Sequence, residues 1–145
     1  MPLVVRYPRE IPSATVLDDI VLNIDFAETF LDYAGAEPPE SMQGRSFRAN
    51  LAGKTPADWR DAMYYRYYGG QPQRPAHFGI RAHDAKLIYY DGLDGVDKSQ
   101  RWEFYDLKHD PHETRNIYDD VRDTERVQRY TRRLEELQAE LGDHP

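Results

Sequence analysis

Apolar positions along the chain change their period three times, and each change marks an element. Leu3, Val4 and Val5 form a short apolar run, and Pro8 and Pro12 then stop it. The run predicts a strand that leaves for a loop. Over residues 18–34, Ile20, Ile24, Ala27, Phe30, Leu31 and Ala34 recur at spacings of three and four, which predicts a helix with one apolar face. Phe26 and Tyr33 widen that face. Gly35 follows where a left-handed residue ends a helix, and Pro38 and Pro39 block continuation. A polar connector over 36–53 carries Phe47 and Leu51 as anchors. Thr55 as cap, Pro56 at the first helical position and Asp58 in the first turn predict a short second helix.

From residue 62 the period shortens. Residues 62–68, 78–81, 86–90 and 102–105 are rich in aromatic and β-branched side chains, and turn residues separate them. His83-Asp84 marks one turn, and Asp91-Gly92 opens the loop to Ser99. Four strands at hairpin spacing predict an antiparallel meander. Alternation sets Tyr65 and Tyr67 on one face and Tyr64, Arg66 and Tyr68 on the other. Asp110, Pro111 and Glu113 read as a capping box at a helix start. Val127, Tyr130, Leu134, Leu137 and Leu141 then predict a closing helix over 123–141, ended by Gly142. The class is α+β: a four-stranded antiparallel sheet packed by a C-terminal amphipathic helix, with a strand and a helix before it.

The 145 residues include 19 Lys and Arg against 26 Asp and Glu, a net charge of −7. That balance argues against a nucleic-acid backbone or an anionic membrane surface as partner. No window approaches the ~18 apolar residues of a membrane span. Cysteine is absent, which excludes disulfides, thiolate metal ligands and a cysteine nucleophile in this chain. With 11 Tyr, 2 Trp and 5 Phe, the chain is too aromatic for a disordered segment.

Candidate chemistry is sparse. His77, His83, His109 and His112 lie close in sequence, but Pro111 separates the last pair and no helical zinc-protease spacing results. Capping and first-turn roles account for Asp18, Asp19, Asp25, Asp106 and Asp110. None of Ser13, Ser41, Ser46 and Ser99 sits in a nucleophile elbow. The Tyr64–Tyr68 run with Arg66 offers rings that could stack on a sugar or serve as a sheet face.

The blocks, taken in order, resemble the C-terminal portion of a sulfatase of the alkaline phosphatase superfamily. They are Pro2-Leu3-Val4-Val5-Arg6-Tyr7-Pro8; Ile24-Asp25, Thr29, Leu31-Asp32 and Ala34-Gly35; Met42-Gln43-Gly44-Arg45-Ser46; Trp59-Arg60; His77-Phe78-Gly79-Ile80-Arg81; Lys86-Leu87-Ile88; and Tyr105-Asp106-Leu107 with Asp110-Pro111, Glu113 and Asn116. Glu28 stands where many members have proline, and Phe104 where many have leucine.

The resemblance implies that residues 1–55 are the tail of a larger α/β main domain and residues 56–145 its C-terminal α+β subdomain. Such enzymes use a formylglycine made from Cys or Ser, with Ca²⁺; both would be supplied before residue 1, so no catalytic residue, metal ligand or cofactor is expected on this chain. Ser41 and Arg45 mimic the formylglycine spacing, but Gln43 occupies the Pro or Ala position. Alone, the chain is expected to be inert. Its expected partners are the missing N-terminal sulfatase domain and a sulfated carbohydrate, with His77 and Arg81 facing substrate. The helix over 20–34, deprived of its sheet, is expected to expose an apolar patch and self-associate. A stand-alone domain that binds sulfated glycans or a partner protein is the alternative, which the charge of −7 disfavours.

Overall fold

The computed structural model describes residues 3–69, 75–91 and 101–143. It divides into two compact units, Met1–Asp61 and Ala62–Pro145, with the boundary six residues after the one drawn from the sequence. Pro2 of the first sequence block, Gly70 and the turn from Gly92 to Ser99 lie outside the described residues.

The first unit holds helix α1 (Asp25–Ala34) and the single turn α2 (Arg48–Leu51). No strand forms over Leu3–Val5; Val4 is 90% exposed, and no ladder partner stands beside it among the described residues. Extended backbone becomes a strand only by pairing. Helix α1 is shorter than its periodicity predicts. Residues 18–24 are committed elsewhere: the Asp19 carboxylate accepts from Asn50 Nδ2 (3.0 Å) and Thr55 Oγ1 (2.7 Å), and the Ile20 carbonyl accepts from Trp59 Nε1 (3.1 Å). The predicted helix at 55–60 is likewise only a turn, and the Thr55 hydroxyl donates to Asp19. At the C-terminal end of α1, Gly35 takes φ +69° as read from the sequence.

Burial in α1 inverts the apolar stripe. Asp25, Glu28 and Thr29 are buried, while Ile24 is 46% and Phe30 70% exposed. The buried side is a hydrogen-bonded cluster. Asp25, with no exposed surface, accepts from Leu22 N (2.7 Å), Arg45 N (2.9 Å) and both terminal nitrogens of Arg60. Thr29 Oγ1 donates to the Asp25 carbonyl (2.8 Å) and accepts from Phe47 N (3.0 Å). Ser46 donates to Asp32 (2.6 Å), and Arg48 bridges Asp32 and Glu10. A small apolar cluster of Phe47, Leu51 and Trp59 lies beside it, with Phe26 edge-on to Phe47 at 5.7 Å.

The second unit is a four-stranded antiparallel meander, β1 (Ala62–Tyr67), β2 (His77–Ala82), β3 (Ala85–Tyr90) and β4 (Trp102–Asp106), in sequential order. All four predicted strands are present. Two helices follow, the single turn α3 (Tyr118–Val121) and α4 (Glu125–Leu141). Thr124 caps α4 and Gly142, at φ +67°, ends it. Val127, Tyr130 and Leu134 of α4 close on Ala62, Phe78, Ile80, Leu87 and Phe104 to form the core.

No helix starts at Asp110, and the expected capping box is absent. The Asp110 carboxylate instead accepts from Arg115 N (2.9 Å) and Thr114 Oγ1 (3.0 Å), closing a loop. Glu113 takes φ +55°, a left-handed conformation that no helical first turn allows. Asn116 then carries the chain back along β4: its Oδ1 accepts from Phe104 N (3.0 Å) and Tyr118 N (2.9 Å), and its Nδ2 donates to the Trp102 carbonyl (3.2 Å).

Candidate functional site

Helix α4 covers one face of the sheet, and strand alternation sends a second set of side chains to the other. Register places Tyr67, His77 and Tyr90 side by side across β1, β2 and β3. The next row is Tyr65, Gly79, Ile88 and Glu103; the one after holds Met63, Arg81, Lys86 and Tyr105. The division of Tyr65 and Tyr67 from Tyr64 and Arg66 follows the alternation read from the sequence. Tyr64 packs on the core, and Arg66 reaches Asp91 at 2.7 Å.

His77 stands at the first position of β2. Its ring centroid lies 5.3 Å from Tyr67, 5.2 Å from Tyr90 and 5.9 Å from Tyr65. Its Nδ1 is 2.9 Å from the Pro75 carbonyl, a contact that requires Nδ1 to carry the hydrogen and leaves Nε2 as the acceptor of the neutral ring.

Arg81 lies four residues further along the same strand and face, about 13 Å away by strand rise. It is paired with Glu113 Oε1 (2.9 Å), and Lys86 takes Glu113 Oε2 at 2.5 Å. The unusual backbone of Glu113 thus places one carboxylate between two cations. The structure does not gather His77 and Arg81 at one point.

Between them lies a cluster that strand spacing alone did not single out. Tyr90 and Tyr105 both donate to Glu103 Oε2 at 3.1 Å. Burial, reinforced by Glu103, pushes the Tyr90 hydroxyl up to about 12 and raises that of Tyr105 further. Burial also raises Tyr65, whose ring lies over Gly79, where a side chain would meet its hydroxyl and the Leu87 carbonyl. All three phenols therefore remain hydrogen-bond donors at neutral pH. The signal was present in sequence as parity: Tyr90, Glu103 and Tyr105 fall on the helix-free face once the strands are in register.

The histidines near the closing helix do not join this face. His109 Nδ1 contacts Asp106 Oδ2 at 2.9 Å with its side chain 84% exposed. Asp106 is occupied by Arg126 (2.8 Å), and Asp84 by the same guanidinium and the Tyr130 hydroxyl. These carboxylates fasten α4 to the sheet.

Comparison with known proteins gives this architecture a family. Residues 1–140 match the family described as N-sulphoglucosamine sulphohydrolase, C-terminal. An N-acetylglucosamine-6-O-sulfatase of Bacteroides thetaiotaomicron is 42% identical over 149 aligned residues, which cover 99% of this chain and 26% of that protein. The solved structure of BT4656 in complex with its substrate D-glucosamine-2-N,6-O-disulfate superposes with a TM-score of 0.84 at 39% identity, over 96% of this chain and 28% of that one. The phosphonate monoester hydrolase SpPMH of Silicibacter pomeroyi shares the fold at 23% identity and a TM-score of 0.64, over 83% of this chain and 25% of that one. This chain belongs to the sulfatase C-terminal family, within the alkaline phosphatase superfamily. It spans about a quarter of the length of these relatives.

Proposed function

We propose that this chain is the C-terminal part of a sulfatase that hydrolyses a sulfate ester on an amino sugar, and that its helix-free sheet face shapes the substrate pocket around His77. The observation that carries the proposal is the 42% identity, over 99% of the chain, to an N-acetylglucosamine-6-O-sulfatase. The relative solved with D-glucosamine-2-N,6-O-disulfate supports the same substrate class.

The catalytic parts lie elsewhere in this reading. Sulfate ester cleavage needs a strong nucleophile, a cation to polarise the sulfate and donors for the developing charge. The chain has no cysteine to become formylglycine, and among the described residues no three His, Asp or Glu side chains stand together to hold a metal ion. In this reading the Ca²⁺ is held by the part of the enzyme outside this chain, and no step of the chemistry is assigned to the residues described.

What this chain contributes is binding. With Nδ1 held by Pro75, His77 Nε2 accepts a hydrogen bond from a sugar hydroxyl; once protonated, it donates to a sulfate oxygen. Tyr67 and Tyr90 flank it with rings suited to the C–H face of a sugar. Arg81 lends charge from the other end of the face while paired to Glu113.

The test joins the chain to the preceding three quarters of the N-acetylglucosamine-6-O-sulfatase relative and follows sulfate release from N-acetylglucosamine-6-sulfate. Each piece alone is inert and the joined protein is active. His77→Ala raises KM up to about tenfold, the loss of one hydrogen bond to the substrate. Hydrolysis by the 145-residue chain alone overturns the division of labour, and unchanged KM and kcat in His77→Ala remove that residue from the pocket.

A further inference from the structure

Two carboxylates are buried on the inner side of α1, and they are served very differently. Asp25 accepts four hydrogen bonds, two of them from Arg60. Glu28, one turn later and 5% exposed, receives none from any described residue, and its Oε2 is sealed from solvent without a partner. A buried carboxylate without a donor is costly. Its neighbour Gly44 makes the close fit: a Cβ there would overlap the Ile24 carbonyl and both Glu28 carboxylate oxygens.

Glu28 lines a groove of about 250 Å³, together with Ile24, Ser41, Met42, Gln43 and Gly44. We infer that this groove receives a lysine side chain from the part of the sulfatase polypeptide outside this chain, with its ammonium on Glu28. This rests on the proposal that the chain is one portion of a larger sulfatase. Four observations select the occupant. The carboxylate calls for a cation. One of its oxygens is sealed, so the two-point fork of an arginine finds no match and a point-charge ammonium does. Ile24, 46% exposed, and Met42 offer apolar wall for a four-carbon stem. The chain spans only about a quarter of its relatives' length, which leaves ample polypeptide to supply the side chain.

The primary probe is n-butylammonium, titrated into the isotope-labelled 145-residue chain. Saturable shifts are expected at the Gly44 amide and the Glu28 carboxyl carbon, and Glu28→Gln weakens them at least about tenfold. The same substitution raises the melting temperature of the chain alone, because an amide costs less than a carboxylate to bury without a hydrogen-bond donor. Absent shifts, shifts indifferent to Glu28→Gln, or a lowered melting temperature overturn the inference. Carbodiimide coupling of the chain mixed with the preceding three quarters of the relative then identifies the source. An isopeptide from Glu28 to a lysine of that piece supports it; one to Lys54, Lys86, Lys98 or Lys108 of a second copy of this chain overturns it. Neither readout requires turnover, so a failed hydrolysis assay and a failed groove remain distinguishable.

Discussion

Asp25, Thr29, Asp32, Gly44, Arg45, Ser46 and Arg60 were conspicuous in the sequence as pieces of recurring blocks, and each has a mechanical task. The acids and hydroxyls of α1 take up backbone and guanidinium donors from residues 45–60 that would otherwise be buried without partners. Gly44 belongs to the set because only a hydrogen fits between the Ile24 carbonyl and the Glu28 carboxylate. Gly44→Ala is expected to destabilise the first unit by roughly 1–3 kcal/mol, since one obstacle is backbone and cannot rotate away. Denaturant melts of the substituted chain check this; a change within experimental error would mean that helix and connector separate without cost. The residue types and their order were legible in the sequence. Their partners were not, because Arg60 lies thirty-five positions from Asp25 and spacing carries no contact information at that range.

At the scale of elements, strands and the long helix were easier to read than short helices. The β-strands carry their own signal in alternation and turn residues, and α4 carries a repeating stripe with a cap at each end. The segments at 55–60 and 110–113 had sound capping residues but too few residues to propagate a helix. Their polar side chains were claimed by Asp19, Arg81 and Lys86. Asn116 makes the expected contribution of the closing block measurable. Asn116→Ala removes two hydrogen bonds to β4 and one to the start of α3 and is expected to cost about 1–3 kcal/mol, with faster hydrogen exchange at Phe104 N and Tyr118 N. The clasp between α4 and the sheet is sensitive to acid. The Arg126 guanidinium, donating to Asp106, holds that carboxyl well below the usual carboxylate range. A depressed folded value stabilises the protein above the unfolded value, near pH ~4, and that stability drains away as pH falls toward the folded value. Thermal melts from pH 7 to pH 2 are expected to fall most steeply below about pH 4. Asp106→Asn flattens that slope while lowering stability at pH 7; an unaltered slope would remove the Asp106–Arg126 pair from the acid response.

At the scale of the whole molecule, the apolar stripe on α1 points to solvent, with Phe30 70% exposed. We expect the isolated chain to self-associate through that stripe, with sedimentation velocity showing weight-average mass rising with concentration and Phe30→Glu returning it to a monomer. A monomer at every concentration would sink this expectation. The sequence by itself determined the α+β class, the four strands and their order, the closing helix and the family, because those depend on local periodicity, turn chemistry and the succession of short blocks. Only the tertiary structure decided which face of α1 is buried, that Glu113 holds two cations, that Tyr90 and Tyr105 meet on Glu103, and that Glu28 is left without a donor. Periodicity reports where apolar side chains recur along an element. Which side of it is covered depends on what packs there, and in α1 the hydrogen bonds of a buried polar cluster outweighed the apolar stripe.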